Sequence, residues 1–70
     1  MFECVELKNY KITTRFSRTH KKEMEYAEGN VYNDNRFEDG EYIYTSAIVY
    51  RSKDGKEIKT TSGSMYVLVD

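Results

Sequence analysis

The chain has no proline, no tryptophan, one cysteine and one histidine among its 70 residues. A lone Cys4 excludes an internal disulfide, and one Cys with one His (His20) cannot fill a tetrahedral zinc site. No low-complexity linker or internal repeat divides the sequence, so one small domain, residues 1–70, is expected. No run approaches the ~18 apolar residues a membrane helix needs. The start Met1-Phe2-Glu3-Cys4-Val5-Glu6 lacks the basic region and long apolar core of a signal peptide, and the single cysteine fits a reducing cytoplasm. Large apolar residues are also scarce, with Ile, Val, Leu and Phe numbering 14. The net charge of −1 nonetheless argues against disorder. The balance of 11 basic against 12 acidic residues disfavours binding to long nucleic acid, which needs a broad positive field. A domain this small usually gains stability from disulfides, metal or a partner subunit. With the first two excluded, composition predicts a homo-oligomer.

What the chain does have is tyrosine, seven against three Phe, and β-forming stretches punctuated by Gly29, Gly40, Gly55 and Gly63. Cys4 to Phe16 reads as a strand whose apolar phase slips between Leu7 and Tyr10, which predicts a bulge or turn at Lys8–Asn9. Residues 19–28 read as a short helix, with His20, Met24 and Ala27 on one face and Gly29 just past its end. Asn30–Asn33 reads as a brief strand, and Asn33 to Gly40 as a loop. Phe37 is the odd residue in that loop: an aromatic there either plugs the core or faces a ligand. Tyr42 to Arg51 is the clearest strand. One face carries Tyr42, Tyr44, Ser46, Ile48 and Tyr50, and the other Ile43, Thr45, Ala47, Val49 and Arg51. Both faces are partly apolar, so both need cover, one from this chain and one from another subunit. Ser52 to Lys56 is a hairpin turn, Glu57 to Thr61 returns, Ser62-Gly63-Ser64 bends the chain, and Met65 to Val69 ends it. The expected fold is mainly β: a small antiparallel meander, barrel-like or paired into a sandwich, with at most one short helix, assembled as a homo-oligomer.

Enzymatic readings are weak. His20 lies in a Lys/Arg-rich stretch and reads as a surface residue. Cys4 reads as a small buried hydrophobe, and Glu38–Asp39 before Gly40 as turn chemistry. No Walker loop or dinucleotide fingerprint is present. The sequence thus predicts no catalytic set, no metal and no cofactor. Binding readings are stronger. Arg15 to Lys22 holds four fixed positive charges without an acid, followed at once by Glu23, Glu25 and Glu28; it is either a solvated face or a phosphate contact. The clusters Tyr44-Thr45-Ser46 and Thr60-Thr61-Ser62-Gly63-Ser64 place hydroxyls on a strand and at a glycine turn, where they and backbone N–H groups can hold phosphate oxygens. Phe37 and the tyrosines suit stacking on nucleobases, or a core or subunit interface.

The elements Arg36-Phe37-Glu38-Asp39-Gly40, Ile43-Tyr44-Thr45-Ser46-Ala47-Ile48 and Thr60-Thr61-Ser62-Gly63-Ser64-Met65-Tyr66-Val67-Leu68 form a pattern of about 40 residues counted from Gly29. It resembles small phage and prophage proteins, and within them the anti-CBASS sponge family. CBASS is a bacterial defence that signals with cyclic oligonucleotides. The resemblance implies a non-enzymatic phage protein in the cytoplasm of the infected host. It would assemble as a tetramer and sequester a cyclic dinucleotide or trinucleotide, typically 3′,3′-cGAMP, without cleaving it. The ligand residues it implies are Arg36, Phe37, Thr45, Ser46, Thr61, Ser62, Ser64 and Tyr66. Where many members carry Trp near the N-terminus this chain has Tyr10, a candidate stacking residue. A pocket between identical subunits suits a ligand of near-twofold symmetry. The alternative expectation is a phage protein that blocks another host defence, as anti-CRISPR proteins do, by binding a host protein directly.

Overall fold

Hairpin connections dominate the chain, and their number dictates how the sheet closes. The computed structural model describes residues 5–69; Cys4, and with it the expected start of the first strand, lies outside the described residues. Five strands follow in chain order: β1 (Glu6–Ser17), β2 (Lys22–Tyr32), β3 (Glu41–Arg51), β4 (Glu57–Thr60) and β5 (Met65–Val69). Each neighbour in the chain pairs antiparallel with the next. Each hairpin reverses direction, so the fifth strand runs the same way as the first. The barrel therefore closes through a parallel β1–β5 ladder, Glu6↔Val67 to Lys8↔Val69. Closure removes the sheet edges wherever it reaches. No helix among the described residues is long and apolar enough to cross a membrane.

The interior holds Leu7, Ala27, Val31, Ile43, Ile48, Ile58, Tyr66 and Leu68, with Val5, Tyr10, Ile12 and Phe37 packed against them. Such a core is small, and three register breaks shape it. In β1, Lys8 faces Asn30 and Lys11 faces Glu28, so Asn9 and Tyr10 together oppose Gly29. Asn9 takes the left-handed conformation (φ 54°) that the break needs. The bulge expected at Lys8–Asn9 is thus present. Gly29 sits opposite it for a steric reason: a Cβ there would lie 2.7 Å from the Lys8 carbonyl oxygen and 3.1 Å from the Tyr10 Cα.

Two expectations are corrected. Residues 19–28 form no helix. Thr19 to Lys21 make a tight turn, with Lys21 at φ 56° and its N–H donating to the Ser17 carbonyl at 2.7 Å. From Lys22 the chain is β2, paired to β1 as far as Ser17↔Lys22. The good helix formers in Glu23 to Glu28 are overridden by that cross-strand ladder, and the helical spacing of His20, Met24 and Ala27 is coincidental. Gly29 is accordingly not a helix cap. The second correction concerns β3. Its interior face begins as expected with Ile43, Thr45 and Ala47, but Ile48 is also buried and Val49 exposed. The ladder to β4 shifts between Ile48 and Tyr50, and this break turns Ile48 inward. Part of the apolar character expected on a second face is thereby absorbed by the barrel itself.

A third break, between Tyr26/Glu28 and Ala47/Tyr44, gives β3 an extra residue opposite Ala27. There the Thr45 hydroxyl accepts from the Ala27 N–H at 3.0 Å and donates to the Ser46 carbonyl at 2.9 Å. A side chain replaces the missing ladder bond, which is why a buried threonine is tolerated. Gly55 (φ 74°) closes the expected β3–β4 turn.

Candidate ligand-binding face

The residues singled out from the sequence fall into separate places. Arg36, Phe37 and Tyr66 are brought together. The β2–β3 loop carries Asp34, whose carboxylate accepts from Arg36 Nε at 3.1 Å and Nη2 at 2.7 Å. Arg36 Nη2 also donates to the Tyr66 hydroxyl at 3.2 Å, and the guanidinium carbon lies 5.3 Å from the Phe37 ring centre. Phe37 takes the first of its two expected roles and packs against the core. The guanidinium beside it holds the Asp34 carboxyl below its ordinary value of 3.8. The same bond raises Arg36 and keeps it charged. This is a staple between loop and barrel, and Asp34 already neutralises the charge of Arg36.

The hydroxyls of Thr60, Ser62 and Ser64 form a chain of their own, with Thr60–Ser62 at 2.9 Å and Ser62–Ser64 at 3.4 Å. The Thr61 N–H donates to the Ala47 carbonyl at 2.8 Å, which sets this turn against β3 one residue from the exposed Ser46. Thr45 is buried with its hydroxyl committed to the β3 bulge. Tyr10 is packed against the core beside Gly29. No group of three or more His, Cys, Asp or Glu placed to hold a metal ion occurs among the described residues.

A different set converges on the outer face of β1, β2 and β3. Cross-strand pairing aligns Lys11, Glu28 and Tyr44 in one row and sets Thr13 beside Tyr26. Residues paired across a ladder point to the same face, so the row is a continuous outward surface. Thr13, Arg15, Tyr26, Glu28 and Tyr44 line a depression of about 130 Å³ there. The Arg15 guanidinium sits over the Tyr26 ring at 4.8 Å, a cation–π stack. Tyr42 meets Tyr44 edge to face, with ring centres 5.7 Å apart and planes at 75°. The Tyr42 hydroxyl donates to the Glu28 carboxylate at 2.6 Å. Loss of that proton would set a phenolate against a carboxylate, so the Tyr42 pKa is pushed up to about 12. Tyr44 itself is 70% exposed. This face was missed because Arg15, Tyr26 and Glu28 read as parts of a basic stretch and a helix. Recognising residues 22–32 as a strand is what aligns them.

Chemically, the face offers flat aromatic surface, one stacked guanidinium and nearby Lys11. It suits a planar ligand, with Arg15 and Lys11 available to its anionic groups and the Glu28 carboxylate partly offsetting them. Comparison with protein-family models, with curated proteins and with solved structures finds no match to this chain.

Proposed function

We propose that this chain is a sponge: a non-catalytic phage protein that binds cyclic oligonucleotide immune signals, such as 3′,3′-cGAMP, and withholds them from CBASS receptors in the host cytoplasm. The single observation that carries the reading is the exposed Tyr42–Tyr44 pair beside the Arg15–Tyr26 stack. Aromatic rings left open to water, next to a guanidinium, match the two needs of a cyclic dinucleotide, which has two bases to stack and two phosphates to neutralise. Stacking contributes about 1–3 kcal/mol per base. Copies of the chain facing one another across this surface would enclose the ligand from both sides. That arrangement gives the expected homo-oligomer, a tetramer by the resemblance, its reason. In this reading Arg36, Phe37 and Tyr66 shape the barrel end, and Ser46, Thr61, Ser62 and Ser64 remain the hydroxyl donors available at the β3–β4 side.

Titration calorimetry with cyclic di- and trinucleotides tests the proposal. Saturable heat with at least one of them, lost in Tyr44→Ala, supports it, and the ligand should return intact after denaturation. No heat with any of them from the folded protein overturns it. Stoichiometric capture of a host protein would instead favour direct protein inhibition.

A further inference from the structure

Where the β2–β3 ladder stops, the two strands separate. Their pairing runs from Val31↔Glu41 to Tyr26↔Ala47 and no further. Both strands continue, β2 back to Lys22 and β3 on to Arg51. Lys22–Glu25 and Ile48–Arg51 therefore face each other without a shared register. Between them lies an open groove of about 500 Å³. Lys22, Glu23, Met24 and Glu25 line it as four consecutive residues, which is the mark of a backbone edge. Ile48 and Val49 line the other side. Val49 is 55% exposed although β-branched and apolar. The one ion pair that reaches across, Arg51 to Glu25, is long at 4.0 Å and half solvated. Such a pair contributes little, so an incoming chain can displace it at small cost.

We propose that this groove binds an extended peptide by strand addition, and that the peptide it fits alternates acidic and apolar side chains. Unpaired strand edges recruit another strand through main-chain hydrogen bonds, while alternate side chains settle specificity. Met24 and Val49 supply the apolar contacts. The turn at the open end of the groove carries Arg18, Lys21 and Lys22, none of which forms an ion pair among the described residues. Together with Arg51 they outnumber Glu23 and Glu25, which line the groove, and leave the rim positive. A second copy of this chain is a poorer occupant. β1 pairs with β5 no further than Lys8↔Val69, so its outer edge from Lys11 to Ser17 is also free. That edge, however, carries Lys11 and Arg15 and no acidic residue, and it would bring like charge to the rim. This inference does not rest on the nucleotide reading, because the groove lies outside the aromatic depression.

The test uses the whole protein with three synthetic peptides: alternating Glu and Val, the same peptide N-methylated on alternate amides, and alternating Lys and Val. The Glu–Val peptide should bind and shift the amide resonances of Lys22–Glu25 and Ile48–Arg51. N-methylation, which removes the donors, should weaken it about tenfold or more, as should Lys for Glu. The folded double variant K21E/K22E should lose the Glu–Val peptide to a similar degree and keep whatever cyclic-nucleotide affinity the parent has. Equal affinity for the N-methylated peptide, shifts confined to other residues, or no binding of the Glu–Val peptide would overturn the proposal. Concentration-dependent self-association that perturbs the same amides would also overturn it, by assigning the groove to a second copy.

Discussion

Arg36 donates from one nitrogen, Nη2, both to the Asp34 carboxylate at 2.7 Å and to the Tyr66 hydroxyl at 3.2 Å. Through that atom the β2–β3 loop is tied to β5 across 30 residues of sequence. Tyr66 belongs to the core, so the tie holds the plug residue Phe37 in place. Arg36→Ala should therefore act first on stability. It strands the nearly buried Asp34, while the half-exposed guanidinium is screened by water. The expected loss is about 1 kcal/mol, read by thermal or urea unfolding. Affinity for a cyclic nucleotide should change little.

The same pair sets a pH dependence. Asp34 titrates lower in the folded chain than its ordinary 3.8 because Arg36 holds it ionised. Its contribution is complete above about pH 4 and is lost as pH falls through the lowered value, since the unfolded chain then takes up the proton first. Urea unfolding across an acidic pH series should show stability falling in that window. Arg36→Ala should flatten the fall.

Tyr42 gives the opposite limb. Its hydroxyl donates to Glu28, and its pKa is pushed up to about 12. The unfolded chain loses this proton near its ordinary value of 10, so the contribution is present below pH 10 and fades as pH rises toward 12. An ultraviolet titration of tyrosinate should show one group ionising late. Glu28→Gln should return it toward its ordinary value of 10, because a neutral amide does not repel the phenolate.

Gly29→Ala should be among the more damaging single methyl additions. The new Cβ would meet backbone atoms, the Lys8 carbonyl at 2.7 Å and the Tyr10 Cα at 3.1 Å, and backbone cannot rotate away as a side-chain tip can. A loss of about 1–3 kcal/mol is expected, measured by urea unfolding.

Tyr44→Ala separates stability from binding. The ring is 70% exposed, so the melting temperature should stay within a degree or two of the parent. Loss of one stacking surface should weaken cyclic-nucleotide binding by about 1–3 kcal/mol. A large drop in melting temperature would place Tyr44 in a structural role instead.

The strand pattern from Glu41 onward was legible in the residues themselves. Period-two alternation fixes a strand, and Asp54-Gly55 and Gly63 mark turns because they supply positive φ cheaply. The bulge near Asn9 was legible too, as a slip in apolar phase. The geometry around the candidate site residues was not. Arg36 and Tyr66, expected as ligand contacts, hydrogen-bond each other, and a sequence cannot show that Asp34 will pair with the arginine.

By itself the amino-acid order determined that this chain is β-rich, that three of its turns fall at Gly40, Gly55 and Gly63, and that its single cysteine forms no disulfide within the chain. Only the tertiary structure decided that residues 22–32 are strand, that Ile48 turns inward, and that Arg15, Tyr26, Glu28 and Tyr44 share one face. The reason is the reach of the forces involved. Turn geometry and alternation are settled within a few neighbouring residues, whereas pairing partners, bulges and barrel closure depend on which distant strand supplies the opposing hydrogen bonds.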